Sequence, residues 1–228
     1  MKFYICRHAE KESVDVYSKL SERGHEQARL LGRHLARNTG ACPLILSSPY
    51  ERCLETASAI AREYEGACIL VENGLAEGPV NSREAHTPVS LHTLKAAFGM
   101  LDPEYVSYYP MPSGENTQRD VLVRCMYMSR HLLHTFARNN KGRDVVVVTH
   151  GTVAMGLVAA MATSRQDDVC ACVADAVQGA SAAGYYTVER TCTPSAGSVV
   201  RSDFRCCSAF LPVPPLPSAT TPVCTFVL

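Results

Sequence analysis

Four consecutive valines, in the stretch DVVVVTH at residues 144–150, restrict the fold more than any other feature of the sequence. A run that is apolar on both faces suits a central strand in a sheet that is covered on both sides. Further strand patterns at residues 2–6, 43–47 and 67–71 alternate with helical patterns at 21–38, 50–64, 117–139 and 152–163. This alternation predicts an α/β fold, a three-layer sandwich in which helices flank a mostly parallel central sheet.

Two parts of the chain interrupt this alternation. Residues 78–116 form a long connection with one short helical pattern, LHTLKAAFG, and we expect them to be an inserted lid over the substrate. Towards the C-terminus, GYYTVER and GSVVRSDF predict a late hairpin, and residues 205–228 predict an extended tail. The tail contains P-x-x-P twice, which is compatible with a segment lying on the surface or with an SH3-type ligand. The length fits one domain spanning residues 1–228.

The composition argues against several classes of protein. Lys and Arg together number 22, as do Asp and Glu, so the formal net charge is zero and no nucleic-acid partner is expected. No run of 18 apolar residues occurs, so we expect no membrane partner. Eleven cysteines, with a strand pattern starting at the first residues, favour a reducing compartment, and we expect a cytoplasmic location.

A structural metal site is not expected. The cysteine pairs at 170/172 and 206/207 lack zinc-site spacing, and no C-x-x-C occurs. His131 and His134 stand three residues apart on a helical pattern, which could hold a metal, but we interpret them as surface residues.

Polar side chains gather directly after the predicted strands. They are Arg7, His8, Glu10 and Lys11 after the first, Arg52 after the second, Glu72 and Glu77 after the third, and His150 with Gly151 after the fourth. Because ligands of open α/β sheets bind outside the carboxyl ends of the strands, we expect these residues to converge at one sheet edge.

Such a set of residues can bind and transfer a phosphoryl group. Two guanidinium groups bind a phosphate dianion bidentately, and the helix N-termini at SSPYER and HGT add backbone N–H donors. An imidazole among cations is favoured in its neutral form, which keeps a lone pair for attack. A second imidazole can donate hydrogen bonds to the phosphoryl oxygens, and a carboxylic acid can protonate the leaving group.

Five stretches of sequence carry a resemblance to a known family. They are RHAE at 7–10, LSERGHEQARLLGRHL at 20–35, ILSSPYERCLETA at 45–57, GLAEG at 74–78 and VVVTHGT at 146–152. In this order they resemble the phosphatase branch of the histidine phosphatase superfamily, also called phosphoglycerate-mutase-like. The resemblance implies a metal-independent phosphomonoester hydrolase that works through a phosphohistidine intermediate. It implies no metal and no organic cofactor, and a small-molecule or protein phosphomonoester as substrate.

The resemblance also implies roles for individual residues. His8 would be the nucleophile, and Glu77 would be the general acid and then the base that activates water. The residues expected to bind the phosphate are Arg7, Lys11, Arg52, His150 and Gly151. Glu72 remains a rival to Glu77, which is preferred because it lies in the loop, where catalytic groups cluster.

Two positions depart from the family pattern. Ala9 stands where the family usually has glycine, and Gly78 follows the acid where related eukaryotic phosphatases carry an aromatic residue.

Two other functions stay open, a non-catalytic phosphate-binding or scaffold module and a mutase. The mutase is disfavoured because EGPVNSREAH replaces the Glu-Arg-His-Tyr-Gly-Gly stretch of cofactor-dependent mutases. The lid residues Tyr105, Tyr108, Tyr109, Pro110 and Pro112 would fit an aryl leaving group or a lid that packs on itself. The oligomeric state stays open.

Overall fold

A seven-stranded sheet forms the middle of the fold in the computed structural model, which describes residues 1–15, 18–78, 98–136, 142–162, 184–193, 201–206 and 211–212. Its strands are β1 (Lys2–Arg7), β2 (Leu44–Ser47), β3 (Ile69–Val71), β4 (Val145–Thr149), β5 (Gly184–Thr193), β6 (Arg201–Cys206) and β7 (Leu211–Pro212). The first four strands run parallel in the order β3-β2-β4-β1. β5 joins β1 antiparallel and pairs with both β6 and β7. The parallel central sheet and the late hairpin are therefore confirmed.

Helices cover both faces of this sheet. They are α1 (Glu22–Asn38), α2 (Glu51–Ala61), α3 (Gln118–His131) and α4 (Gly151–Ala162). Val146 and Val148 of β4 share an apolar cluster with residues of α1 and α2, whereas Val145 and Val147 share another with residues of α3 and α4. Successive side chains of a strand point to opposite faces, so the valine run is buried between two helical layers. The three-layer architecture follows from this arrangement.

Helix starts follow the capping patterns of the sequence. The Ser21 side chain accepts a hydrogen bond from Gly24 N at 3.0 Å, which caps α1 as predicted. Thr117 and Asp120 form a reciprocal capping box at the start of α3. Short polar side chains thus fix where these helices begin.

Some element ends differ from the sequence patterns. α2 ends at Ala61 rather than near residue 64, because Glu63 and Tyr64 donate to carbonyls three residues back and Gly66 turns the chain at φ 69°. α3 ends at His131 and continues as a π-helical turn, Leu132–Phe136. Residues 137–141 and most of the LHTLKAAFG pattern lie outside the described residues.

The described part of the predicted lid returns to the sheet beside β3. Ile69 N donates to the Met100 carbonyl at 2.8 Å, and Asp102 N donates to the Ile69 carbonyl at 2.9 Å. These bonds use the backbone groups that β3 would otherwise leave unpaired at its edge. Residues 79–97 lie outside the described residues, so the lid function of 78–116 stays a prediction.

The loop after β1 lies close against the start of α1. Ser21 N donates to the Glu10 carbonyl at 3.0 Å, and Gln27 Oε1 accepts from Glu10 N at 2.9 Å. A Cβ added at Gly24 would lie well inside contact distance of the same Glu10 carbonyl oxygen. Glycine at position 24 therefore lets the helix approach the loop that follows β1.

Gly24→Ala should lower the free energy of unfolding by roughly 1–3 kcal/mol, because the new methyl group forces the loop and the helix apart. The loss should occur even though alanine is the better helix former. Urea unfolding measures it, with Gly40→Ala as control, since a Cβ at Gly40 meets nothing within 4 Å. Equal effects of the two substitutions would contradict this interpretation.

Candidate active site

Side chains from the carboxyl ends of all four parallel strands meet in one cluster. Arg52 Nε lies 3.2 Å from His8 Nε2, and Arg52 Nη2 lies 3.1 Å from His150 Nδ1. Arg52 Nη2 also contacts Glu77 Oε2, and that oxygen lies 3.6 Å from His150 Nδ1. The structure thus brings together His8, Arg52, Glu77 and His150, as the sequence predicted.

His8 presents a defined nitrogen to the site. The residue follows β1 and is only 4% exposed. Its Nδ1 lies 2.7 Å from the Ala9 carbonyl oxygen, and because a carbonyl can only accept, we assign the proton to Nδ1. The lone pair is then on Nε2, towards which Arg52 Nε donates. Nε2 is therefore the unprotonated nitrogen that faces the cluster.

Burial and nearby cations keep both imidazoles neutral. Burial lowers the pKa of His8 to about 3, assisted by the charges of Arg52, Arg7 and Lys11 and opposed by the Ala9 carbonyl. Burial, together with the Arg52 charge, also holds the pKa of His150 well below its usual value. At neutral pH His8 therefore carries a free lone pair rather than a charge.

His150 is held by the turn between β2 and α2 as well as by Arg52. Because the Arg52 guanidinium donates to Nδ1, the proton of the neutral ring lies on Nε2, which donates to Ser48 Oγ at 2.9 Å. The Tyr50 ring packs edge-on against the imidazole at a centroid distance of 5.0 Å. These contacts fix the orientation of the second imidazole.

Arg52 is a buried cation in the first turn of α2, with 1% of its surface exposed. Its guanidinium carbon lies 4.7 Å from the centre of the Tyr50 ring. Thr56 Oγ1 donates to the Arg52 carbonyl at 2.8 Å and accepts from Ala9 N at 3.1 Å. One hydroxyl thus ties the loop after β1 to the helix that carries Arg52.

Ala9 fits its position without strain on the neighbouring helices. Its methyl group is buried in a small cluster with Leu20, Ala28 and Ala59. The departure from the usual glycine therefore adds apolar contact between the loop, α1 and α2.

The other predicted phosphate contacts occupy different positions. Arg7 ends β1 opposite Thr149, and a Cβ added at Gly151 would lie 3.5 Å from its Nε. The Arg7 guanidinium thus lies beside the start of α4. Lys11 Nζ instead donates to the carbonyls of Val14 at 3.1 Å and Asp15 at 3.3 Å. The structure therefore directs the ammonium group of Lys11 into its own loop, although its charge still acts on His8.

The two candidate acids have opposite surroundings. Glu72 is fully buried and accepts five hydrogen bonds, from the N–H groups of Gly74, Tyr108 and Tyr109 and the hydroxyls of Tyr105 and Ser107. Its carboxylate anchors the returning segment 105–109 to the end of β3. The Glu77 side chain is 43% exposed and contacts Arg52. Only the Glu77 carboxylate therefore lies within the cluster and is open to a ligand.

Three residues that hold the acid-bearing loop were not identified from the sequence. Thr149 Oγ1 donates to the Leu75 carbonyl at 2.7 Å. Arg124 donates to the carbonyls on either side of Leu75, and Glu115 pairs with Arg124. Helical spacing could have identified Arg124, because it lies three residues after Val121, on the same buried face of α3. A charged residue among core positions requires a buried partner.

The cluster has the character of an anion site. Two arginines, two neutral imidazoles and the N-termini of α2 and α4 surround the same sheet edge. In the described part of the chain, no group of three or more His, Cys, Asp or Glu residues could hold a metal ion. No helix among the residues described is long and apolar enough to span a membrane.

Comparison with known proteins identifies the family. The model of the histidine phosphatase superfamily (branch 1) matches residues 3–171. Since this match covers most of the chain, the protein belongs to the histidine phosphatase superfamily. No match to the chain was found among curated proteins.

Solved structures share the fold at low sequence identity. A mycobacterial glucosyl-3-phosphoglycerate phosphatase in complex with inorganic phosphate matches with a TM-score of 0.62 and 19% identity, over 93% of this chain and 98% of that chain. The ecdysone phosphate phosphatase of Bombix mori, in complex with tungstate, matches with a TM-score of 0.61 and 17% identity, over 99% and 97%. A phosphoserine phosphatase of Entamoeba histolytica matches with a TM-score of 0.54 and 20% identity, over 82% and 90%.

The neutrality of His8 should appear in the pH dependence of stability. With a pKa of about 3 when folded and roughly 6.5 when unfolded, His8 binds a proton only in the unfolded chain between these values. Its contribution to stability is therefore complete above the unfolded value and is lost as the pH falls towards 3. From pH 7.5 to 5.0, the wild type should lose roughly 2 kcal/mol more than His8→Asn.

Urea unfolding at the two pH values measures this difference. His25→Asn serves as control for the histidine-to-asparagine change itself, because His25 is exposed on α1. An equal loss of stability in His8→Asn and the wild type between the two pH values would show that the surroundings of His8 do not lower its pKa.

Proposed function

We propose that this member of the histidine phosphatase superfamily hydrolyses phosphomonoesters through a phosphohistidine on His8, without a metal ion. The observation that carries the proposal is the direction of His8 Nε2. This nitrogen is unprotonated and accepts a hydrogen bond from Arg52 Nε at 3.2 Å. The same guanidinium contacts a solvent-accessible carboxylate, that of Glu77. A nucleophile, an anion-binding cation and an acid thus occupy one small volume.

Substrate binding would use the cations and helix N-termini of this edge. The phosphate dianion would contact Arg7 and Arg52, with the backbone N–H of Gly151 at the start of α4 as a further donor. It would also accept from His150 once the ring proton moves from Nε2 to Nδ1, where Arg52 now donates. Binding to Arg52 would replace the present contact with Glu77. A carboxyl beside a bound dianion is favoured in its protonated form, as a general acid requires.

The first chemical step would transfer the phosphoryl group to His8. The Nε2 lone pair forms the new P–N bond while the P–O bond of the ester breaks. Glu77 gives its proton to the departing oxygen, and the alcohol leaves. The Ala9 carbonyl, bound to the Nδ1 proton, stabilises the positive charge that develops on the imidazole.

The second step would release phosphate and restore the enzyme. Glu77, now ionised, takes a proton from water as the water oxygen attacks phosphorus. The P–N bond breaks, its electron pair returns to Nε2, and inorganic phosphate leaves. The buried cations remain unchanged through both steps and stabilise the negative charge of the transferred group.

The structural neighbours support a small-molecule phosphomonoester as substrate. The names of the three reported neighbours describe phosphatases of glucosyl-3-phosphoglycerate, ecdysone phosphate and phosphoserine. A phosphomonoester on a protein is the alternative substrate. We also propose one domain over residues 1–228, with 78–116 as the substrate lid. The extended tail predicted for 205–228 begins within the sheet, because residues 205–206 belong to β6 and 211–212 form β7.

Free thiols support a cytoplasmic location. Five cysteines in the described residues are unpaired, Cys6, Cys42, Cys53, Cys68 and Cys125. Burial raises the pKa of Cys53 to about 12, so this thiol beside His150 stays protonated and does not compete with His8 as nucleophile.

The nucleophile can be tested by trapping. Quenching with alkaline detergent during turnover of a labelled phosphomonoester, with excess chelator present, should trap a phosphoryl group on His8 that is stable to base and is lost on later acid treatment. His8→Ala should lose nearly all turnover while keeping its fold, because its side chain is at a loop rather than in the sheet. His25→Ala is the matched control and should keep activity within about twofold. Undiminished turnover in His8→Ala would contradict the mechanism, and an inactive wild type across a broad ester screen would favour a binding module.

The role of Glu77 as general acid can be tested by comparing substrates with different leaving groups. An alkoxide must gain a proton as it departs, whereas nitrophenolate leaves readily without one. Glu77→Gln should therefore slow single-turnover phosphorylation by an alkyl phosphate more than by nitrophenyl phosphate, by roughly tenfold to a thousandfold. Glu72→Gln is the control and should lower stability without this dependence, because Glu72 binds the 105–109 segment. The reverse pattern would make Glu72 the acid.

A further inference from the structure

We infer that Arg124 is a positioning residue for the reaction, since it fixes the loop that carries Glu77. The loop comprises residues 73–78 and is called the acid loop below. The inference rests on the proposed function, because it takes Glu77 as the general acid. Arg124 is on α3, and its hydrogen bonds go to Glu115 and to carbonyls of the acid loop rather than to a predicted catalytic residue. Its charge acts on His150 without direct contact.

Side chains hold three consecutive carbonyl groups of the acid loop. Arg124 Nη1 donates to the Gly74 carbonyl at 2.6 Å and to the Ala76 carbonyl at 2.9 Å. Thr149 Oγ1 donates to the intervening Leu75 carbonyl at 2.7 Å. All three carbonyls immediately precede Glu77, so their positions set the origin and direction of its side chain. Side chains from α3 and β4 thus hold three successive carbonyls of the acid loop.

The guanidinium is itself fixed by a carboxylate. Glu115 accepts from Arg124 Nε at 2.7 Å and from Nη2 at 2.9 Å, and both side chains are buried. A bidentate pair of this kind fixes orientation as well as distance. With two nitrogens bound to Glu115, Nη1 remains to bridge the two loop carbonyls.

Gly78 leaves room for this pair at the end of the acid loop. A Cβ added at Gly78 would lie 2.8 Å from Glu115 Oε2, 3.0 Å from Arg124 Nη2 and 2.7 Å from Val121 Cγ2. A side chain at position 78 would therefore press on both members of the pair. The glycine that departs from the family pattern is thus part of the same arrangement.

Lysine cannot replace arginine here with the same geometry. Its single ammonium nitrogen carries three donors on a flexible stem, whereas four directed contacts to two partners are needed. Arg124→Lys keeps the buried positive charge, so Glu115 keeps a partner, but the planar fork is lost. The substitution therefore separates the positioning of the acid loop from the cost of burying an unpaired charge.

The test compares leaving groups in single-turnover phosphorylation. Arg124→Lys should slow phosphorylation by an alkyl phosphate roughly tenfold or more, and by nitrophenyl phosphate about threefold or less. In a Glu77→Gln background, Arg124→Lys should cause no further change in the ratio of the two rates, because the acid it positions is absent. Arg130→Lys, the same change at an exposed position of α3, should leave both rates unchanged.

Equal slowing of both substrates, or a further change of the ratio in the Glu77→Gln background, would overturn the inference. Should Arg124→Lys fail to fold, as judged by far-UV circular dichroism, Glu115→Gln carries the same expectation. Glu115→Gln keeps the shape of the side chain that accepts from Arg124 and removes its negative charge.

Amide hydrogen exchange separates this inference from the proposed function. Arg124→Lys should speed exchange at Gly74, Leu75 and Ala76, whose N–H groups are hydrogen-bonded within the loop or to Glu72. This result does not depend on activity. Unchanged exchange would overturn the positioning role even in an active enzyme, whereas faster exchange in an inactive wild type would mean that only the proposed function fails.

Discussion

The site depends on one buried cation. Arg52 contacts side chains that follow three other strands, His8, His150 and Glu77, and it is almost entirely removed from water. A buried guanidinium without partners would be strongly destabilising, so the loops that supply its partners must converge for the chain to fold stably. The same requirement brings two imidazoles and a carboxylate around the guanidinium. The contacts that bury the cation therefore also build the candidate active site.

The chemistry follows from surroundings that disfavour charge on imidazole. Burial is the main cause of the low pKa of His8, and the neighbouring cations act in the same direction. A neutral ring at physiological pH retains the lone pair that attack on phosphorus requires. The cost is a dependence of stability on pH, because the unfolded imidazole accepts a proton more readily than the folded one. The proposed nucleophile and the expected loss of stability in acid thus follow from the same lowered pKa of His8.

Two glutamates of the same chain segment show how environment determines role. Glu72 receives five hydrogen bonds and is wholly buried, so it connects β3 to the returning segment 105–109. Glu77 lies on a loop whose carbonyls are held by Arg124 and Thr149, and it is accessible to solvent. The tyrosines that the sequence offered for aryl recognition include Tyr105, whose hydroxyl instead binds Glu72. The short distance in sequence between Glu72 and Glu77 does not indicate that their roles differ.

The sequence by itself determined the layered α/β fold and the edge at which His8, Arg52, Glu77 and His150 meet. Strand alternation, the valine run and polar residues after each strand are local patterns, and parallel strands place their carboxyl ends together. Only the tertiary structure decided which nitrogen of His8 carries the proton and that the Glu72 carboxylate is fully hydrogen-bonded. It also decided that the Lys11 ammonium group binds carbonyls of its own loop, and that a distant helix holds the acid loop through Arg124. The outcomes at Glu72 and Arg124 depend on hydrogen bonds between residues far apart in the chain, and those at His8 and Lys11 depend on the path of one loop. Periodicity and spacing encode neither kind of hydrogen-bond geometry.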